Sequence, residues 1–355
     1  MRKVTSQDVA KAAGVSQTAV SFILNGSNKV KFSDETKERV FAAAAELGYS
    51  IPARRNRKKQ ASSSKLLCVL TPTLSNYYFT ELVQYAQNYA HSRGYHIVVC
   101  NTFREQELEK YYLESFKNAD GILYTFLPSF PQLVEQISDS VPTAIIGGRP
   151  DTPGAFTVEL GNHMAGARVA EYLYSLGHRK FLFVSTPLKR FSLSREQRLE
   201  GMQQVLHGYG LEDAVQVLAM EGATERDNPD QSISYEFEAG RSMVLEALRR
   251  GLDDATALVC VNDMTAFGVM DALKSQGVDI PGQVSVCGFD NLMVGVLTSP
   301  ALTTVDNQLQ KCCETAIDQL IGMGSHAGGQ APSHIEYAPR LMVRGSTGPA
   351  PVVNT

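Results

Sequence analysis

The sequence predicts two unlike parts: an all-α helix-turn-helix head, then an α/β body of two parallel-sheet lobes. Three observations carry this. Residues 1–65 hold a net charge of +8 and the remaining 290 hold −12, which together give the chain's −4. Through the first 50 residues, apolar side chains recur at helical spacing. From Leu66 onward, short apolar runs alternate with amphipathic stretches, the βαβ rhythm of sheets covered by helices. A chain of 355 residues has room for two or three domains.

The head reads as three helices. Thr5 and Asp8 have the spacing of a capping box, with Val9, Ala10 and Ala13 as the apolar face behind them. Gly14 ends that helix, Ser16 caps a second one, and Val20, Ile23 and Leu24 form its core stripe before Asn25-Gly26 stops it. A third helix opens at Ser33, carries Asp34 and Glu35 in its first turn, and ends at Gly48. Its expected inward face is Val40, Ala43, Ala44 and Leu47. Ala10, Gly14 and Val20 keep the tight spacing of a helix-turn-helix. At about 100° per residue from Val20, Thr18, Phe22 and Asn25 point away from the core toward a major groove, with Gln17 beside them. A basic head on an acidic body is the electrostatic footprint of a polyanion binder with a separate regulatory module. Residues 51–65 form a basic linker in which Arg54, Arg55, Arg57, Lys58 and Lys59 suit phosphate contact, and Ala61 to Ser64 read as flexible.

In the body the expected strands are Leu66–Leu70, His96–Cys100, Gly121–Tyr124, Thr143–Gly147, Phe181–Val184, Ala214–Met220, Ala257–Val261 and Val284–Cys287. Helical patterns such as Phe79–Ser92, Ala165–Leu176 and Met264–Ser275 fill the gaps. Ligand residues belong just after the strands, where parallel sheets open their clefts. Asn76, Tyr78 and Phe79 follow the first strand and offer aromatic faces. Asp263 follows Val259 to Asn262 and opens a helix, so it is either a cap or a ligand group. Tyr235 is a further candidate wall.

Other classes are excluded on the same page. No apolar run is long enough to span a membrane, and Met1 to Asp8 lack a signal-peptide core, so the expected location is cytoplasmic. The six cysteines show no Cys-x-x-Cys spacing and read as buried thiols; no metal or cofactor is expected. The seven histidines are scattered, no serine sits in a nucleophile elbow, and Gly322-x-Gly324 follows no strand, so an enzyme is not expected.

Val4-Thr5-x3-Val9-Ala10-x2-Ala13-Gly14-Val15-Ser16, Val20-Ser21, Leu24-Asn25 and Glu46-Leu47-Gly48-Tyr49 resemble the lactose/galactose repressor family over nearly the whole chain. The resemblance implies a DNA-binding set of Thr5, Ser16, Gln17, Thr18, Ser21, Phe22 and Asn25 beside the linker cations, and a periplasmic-binding-protein-like sensor. It implies domains at 1–50 (head), 51–65 (linker), 66–345 (sensor) and 346–355 (tail). The N-lobe would hold about 66–160 and 292–321 and the C-lobe about 162–290 and 323–345, with crossings near Gly161, Asn291 and Gly322. Arg198 in Arg198-Leu199-Glu200-Gly201, Asp263, and Asp290 after Phe289 match the family's effector-binding positions. Three features depart from the family pattern. Ala19 and Phe22 stand where Thr and Arg are usual, so the operator should differ; the linker lacks an apolar wedge; and Gly161-Asn162 replaces Asp-Asn. The expected protein is a homodimeric repressor that reads a pseudo-palindromic DNA operator under control of a small effector. A sugar is the first expectation, a nucleobase or other metabolite the alternative, and a sugar-binding protein without regulatory role the rival.

Overall fold

A computed structural model describes residues 5–24, 32–47, 64–147, 153–188, 193–220, 235–325 and 334–351, in two units, Met1–Ser63 and Ser64–Thr355. In the first unit, α1 (Ser6–Ala13), α2 (Gln17–Leu24) and α3 (Asp34–Glu46) surround a core of Val9, Ala10, Ala13, Val20, Ile23, Val40, Ala43 and Ala44. The predominance of alanine and valine lets three short helices approach closely. Gly14 closes α1 at φ +65°, a left-handed conformation that costs a residue without Cβ nothing, and its N–H returns to the Ala10 carbonyl. Leu47 departs from the expected inward face. The helix stops at Glu46, so helical phase no longer aims the Leu47 side chain, and it is 37% exposed.

The second unit begins with β1 (Leu66–Thr71), α4 (Tyr77–Ser92), β2 (His96–Asn101), α5 (Gln106–Ser115), β3 (Gly121–Tyr124), α6 (Pro131–Ser138), β4 (Thr143–Ile146) and β5 (Phe156–Glu159). It continues through α7 (Asn162–Ser175), β6 (Phe181–Ser185), α8 (Leu193–Gly208), β7 (Val215–Ala219), α9 (Tyr235–Arg249), β8 (Ala257–Cys260), α10 (Asp263–Ser275) and β9 (Ser285–Cys287). The last elements are α11 (Val294–Leu297), β10 (Thr304–Asp306), α12 (Leu309–Ser325), β11 (His334–Glu336) and β12 (Arg340–Met342). One parallel sheet runs β11-β5-β4-β3-β1-β2, a second runs β7-β6-β8-β9, and β10 pairs with β12 antiparallel. Both large sheets are covered on two faces. Leu67 and Val69 enter one core while Cys68 and Leu70 enter the core behind, and Phe181 and Phe183 oppose Leu182 and Val184 in the same way. Double coverage is why these strands read as unbroken apolar runs instead of alternating ones. All six cysteines are free and buried.

Helices α7 and α8 meet backbone to backbone. A Cβ on Gly166 would strike the Arg198 carbonyl, and one on Gly201 would strike the His163 carbonyl. The reciprocal glycines lock Arg198 against the start of α7. Helices α9 and α10 repeat the device with Gly240 and Gly268.

The lobe boundaries differ from those expected at two of three crossings. The chain leaves the six-stranded lobe at Gly161, between β5 and α7. It does not return at Asn291: Leu302 and Val305 still pack in the cores of the four-stranded lobe, while Leu309 begins the packing on the other side. That crossing falls at Asn307–Gln308 because β10 is tied to β12. Gly322 lies inside α12, and β11 pairs with β5, so the third crossing falls between Glu336 and Arg340. Residues 346–351 of the expected tail are also part of the lobe. Ser346 is fully buried, exchanges backbone bonds with Ala301 and Val286, and accepts the Thr303 N–H on its hydroxyl at 2.8 Å.

Candidate functional site

In the head, α2 is positioned by short-range bonds. The Thr5 N–H donates to Asp8 Oδ2 at 2.8 Å, completing the capping box of α1, and Ser16 Oγ accepts from Ala19 N–H at 3.2 Å at the start of α2. Gln17 Nε2 donates to Ser6 Oγ at 3.0 Å, which pins the first residue of α2 to α1. Thr18 is exposed; Phe22 is half-buried and belongs to no core cluster among the described residues. The Ser21 side chain, Asn25, Arg54, Arg55, Arg57, Lys58 and Lys59 lie outside the described residues.

In the sensor, four of the expected residues converge between the lobes. Arg198 is 5% exposed and engaged through each of its three nitrogens: Nε donates to Asn162 Oδ1 at 2.9 Å, Nη1 to the Val261 carbonyl at 2.5 Å, and Nη2 lies 3.5 Å from Asp290 Oδ1. Its guanidinium also stacks 4.7 Å from the centre of the Phe289 ring. Asp290 holds φ at +114°, a region L-residues rarely adopt, and burial pushes its carboxyl well above the usual carboxylate range despite Arg198. The Tyr78 phenol is pushed up by burial and then by the Asp290 charge, and the ring packs against the core of the six-stranded lobe. Asn76 caps α4, its Oδ1 accepting from Tyr78 N–H at 2.9 Å, while its Nδ2 donates to Glu236 Oε2 at 2.8 Å.

Three expected residues stand differently. Phe79 meets Tyr78 edge-on at 5.0 Å and packs against both cores of the six-stranded lobe, as a core aromatic does. Asp263 neither caps α10 nor offers an oxygen to the cleft. Asn262 is the cap, accepting from Thr265 N–H at 2.9 Å. Asp263 is fully buried, with Oδ2 accepting from Leu292 N–H at 2.8 Å and Oδ1 from the Thr304 hydroxyl at 2.6 Å. It therefore clamps the two chain segments that lead to the crossing, and burial raises its pKa to about 7. Tyr235 opens α9 next to Glu236.

Several residues at this site escaped the sequence reading. Glu236 gathers donors from three elements, and Asn162 and Asn262 orient Arg198 and Glu236. An acidic residue in the first turn of a helix looks like ordinary dipole compensation, so nothing local marks Glu236. Asn307, fully buried at the crossing, has no partner for either amide atom among the described residues. Beside it, Glu81, Tyr85, Asp290, Asp306, Gln308 and Arg340 contribute to the lining of a cavity of about 380 Å³.

With this geometry in place, likeness to known proteins is specific. Residues 5–51 match the model described as bacterial regulatory proteins, lacI family, and residues 170–347 match a periplasmic binding protein-like domain. An HTH-type transcriptional repressor PurR from Aliivibrio salmonicida (strain LFI1238) is 27% identical over 322 residues, covering 89% of this chain and 91% of its own length. A solved LacI family transcriptional regulator from Silicibacter pomeroyi superposes with a TM-score of 0.67 at 26% identity, over 97% of this chain and 99% of that one. A periplasmic binding protein/LacI transcriptional regulator from Alkaliphilus metalliredigens QYMF, complexed with D-xylulofuranose, gives a TM-score of 0.65 at 25% identity, over 80% and 99%.

Proposed function

The chain belongs to the lacI family of bacterial regulatory proteins and is a DNA-binding transcriptional regulator; on that premise we propose that a neutral sugar is its effector and a homodimer its working form. The observation that carries the sugar reading is the interlobe polar cluster of Asn76, Asn162, Arg198, Glu236, Asn262 and Asp290. A set of amide, guanidinium and carboxylate groups, donors and acceptors together, suits a ring bearing many hydroxyls, each of which donates and accepts. The relative complexed with D-xylulofuranose supports the same class. Effector binding changes the free energy of lobe closure, and closure biases the paired heads through their different affinities for two states.

A dimer follows from DNA geometry, because one head covers one half-site and two related heads read a pseudo-palindrome. It also has a surface. Met293, Val296 and Leu297 are 66%, 49% and 74% exposed around α11, an apolar patch that suits a second copy of the chain. Leu297→Lys should therefore dissociate the dimer in sedimentation.

The test of the effector is operator binding by the full chain, followed by fluorescence anisotropy with D-xylulose, D-ribose and cellobiose added in turn. At least one sugar should shift operator affinity by about fivefold or more. A second reading, a nucleobase stacked on Tyr78, wins if free nucleobases shift it and the sugars do not.

A further inference from the structure

Asn76 belongs to the six-stranded lobe and Glu236 to the four-stranded one. Because the Asn76 carbonyl oxygen is committed to capping α4, its amide nitrogen is turned outward, and it donates across to Glu236 Oε2 at 2.8 Å. On its own lobe the same oxygen accepts from Asn262 Nδ2 at 2.6 Å, and Oε1 lies 3.5 Å from Arg195 Nη2. Arg195 is in turn fixed by donating to the Pro187 carbonyl at 2.9 Å. Glu236 is thus oriented by two elements of its own lobe before it meets Asn76. At 8% and 9% exposed, Glu236 and Arg195 sit where charges are poorly screened.

We propose that Glu236 is the specificity-determining carboxylate of the cleft: it latches the lobes together through Asn76, and an effector engages it by presenting hydroxyl or ammonium donors in place of that amide. An anionic ligand meets a like charge there, and Arg195 already faces Glu236. The inference rests on the cleft being the effector site, but the latch itself can be measured without an effector.

The experiment uses the full chain and three variants. Asn76→Asp preserves the α4 cap, since aspartate caps as well as asparagine, but sets a carboxylate against Glu236. Asn76→Ser keeps the cap with a side chain too short to reach across. Combining Asn76→Asp with Glu236→Gln removes the like-charge contact without rebuilding the bond, because the Glu236 oxygen that faces Asn76 also accepts from Asn262 Nδ2. Hydrogen exchange is followed by mass spectrometry in peptides spanning residues 76–82 and 235–240, with the β1 peptide as the control for folding. Both single variants should exchange about tenfold faster at the two lips, the loss expected for a hydrogen bond to a charged group, and the double variant should exchange more slowly than Asn76→Asp, because the repulsion is gone. Unchanged lips in Asn76→Ser, or a double variant as fast as Asn76→Asp, would overturn the latch. Millimolar inorganic phosphate should leave wild-type lip exchange unaltered; protection by phosphate would overturn the selection for donors. Operator affinity of the same variants is recorded in parallel, so a failed latch with intact operator binding leaves the regulator standing.

Discussion

The head and the four-stranded lobe are held together over different distances along the chain. In the head, the bonds that define the helices join Thr5 to Asp8, Ser16 to Ala19 and Ser33 to Thr36, each three residues apart. In the lobe, Arg198 reaches Asn162, Val261 and Asp290 across 36, 63 and 92 residues, and His178 reaches Ser285 and the Gly348 carbonyl across 107 and 170. Local bonds cost little chain entropy to form and stabilise one helix at a time. Long-range bonds between buried polar groups exist only once the whole lobe has assembled, and removing one partner leaves the others desolvated and unpaired. The lobe should therefore lose stability in large cooperative steps and the head in small local ones.

The largest expected effect comes from Arg198→Met, which deprives Asn162, the Val261 carbonyl and Asp290 of their partner at once. It should lower the unfolding free energy of the sensor by about 3–5 kcal/mol in urea denaturation; a loss under 1 kcal/mol would mean that the buried pair is replaceable and the contrast overstated. Next, Gly201→Ala drives a methyl group into the His163 carbonyl and forces α7 from α8. It should cost about 1–3 kcal/mol in the same transition, with head stability and operator affinity nearly unchanged. In the head, Thr5→Ala should cost about 1 kcal/mol, visible as faster hydrogen exchange confined to α1. Spread of that loss into the sensor would break the comparison from the other side.

The smallest change is one of sign. Asp263 is buried with its pKa raised to about 7, so the folded chain binds a proton there that the unfolded chain releases near 4. Its contribution falls as pH rises from about 4 to 7 and is least favourable above 7. Asparagine can keep both bonds, with its oxygen accepting from Leu292 and its amide donating to Thr304. Asp263→Asn should therefore gain on the wild type as pH is raised from 5 to 8 in parallel denaturations. A difference independent of pH would show that the carboxylate is ionised throughout.

The same contrast in distance decides what could be read before folding. The three head helices, their caps and the Val20 stripe depend on residues within one or two turns of each other, so spacing exposes them. Most strands of the body are legible for a related reason: burial on both faces demands continuous apolar runs such as Leu66–Leu70 and Phe181–Val184. Strands β5, β10, β11 and β12 are broken by polar residues such as Thr157, Asp306, Glu336 and Arg340, and they are strands because a neighbour pairs with them. Arg198 and Asp290 were found from a family pattern, whereas Glu236 and Asn307 look like any polar residues until the lobes meet. Asp263 shows the limit most plainly. The sequence by itself determined a carboxylate at the mouth of a helix after a buried strand. Only the tertiary structure brought Leu292 and Thr304 to its two oxygens and turned an expected ligand group into a clamp. The physical reason is that a side chain's reach is set by its own bonds, but its partners are set by where the rest of the chain packs.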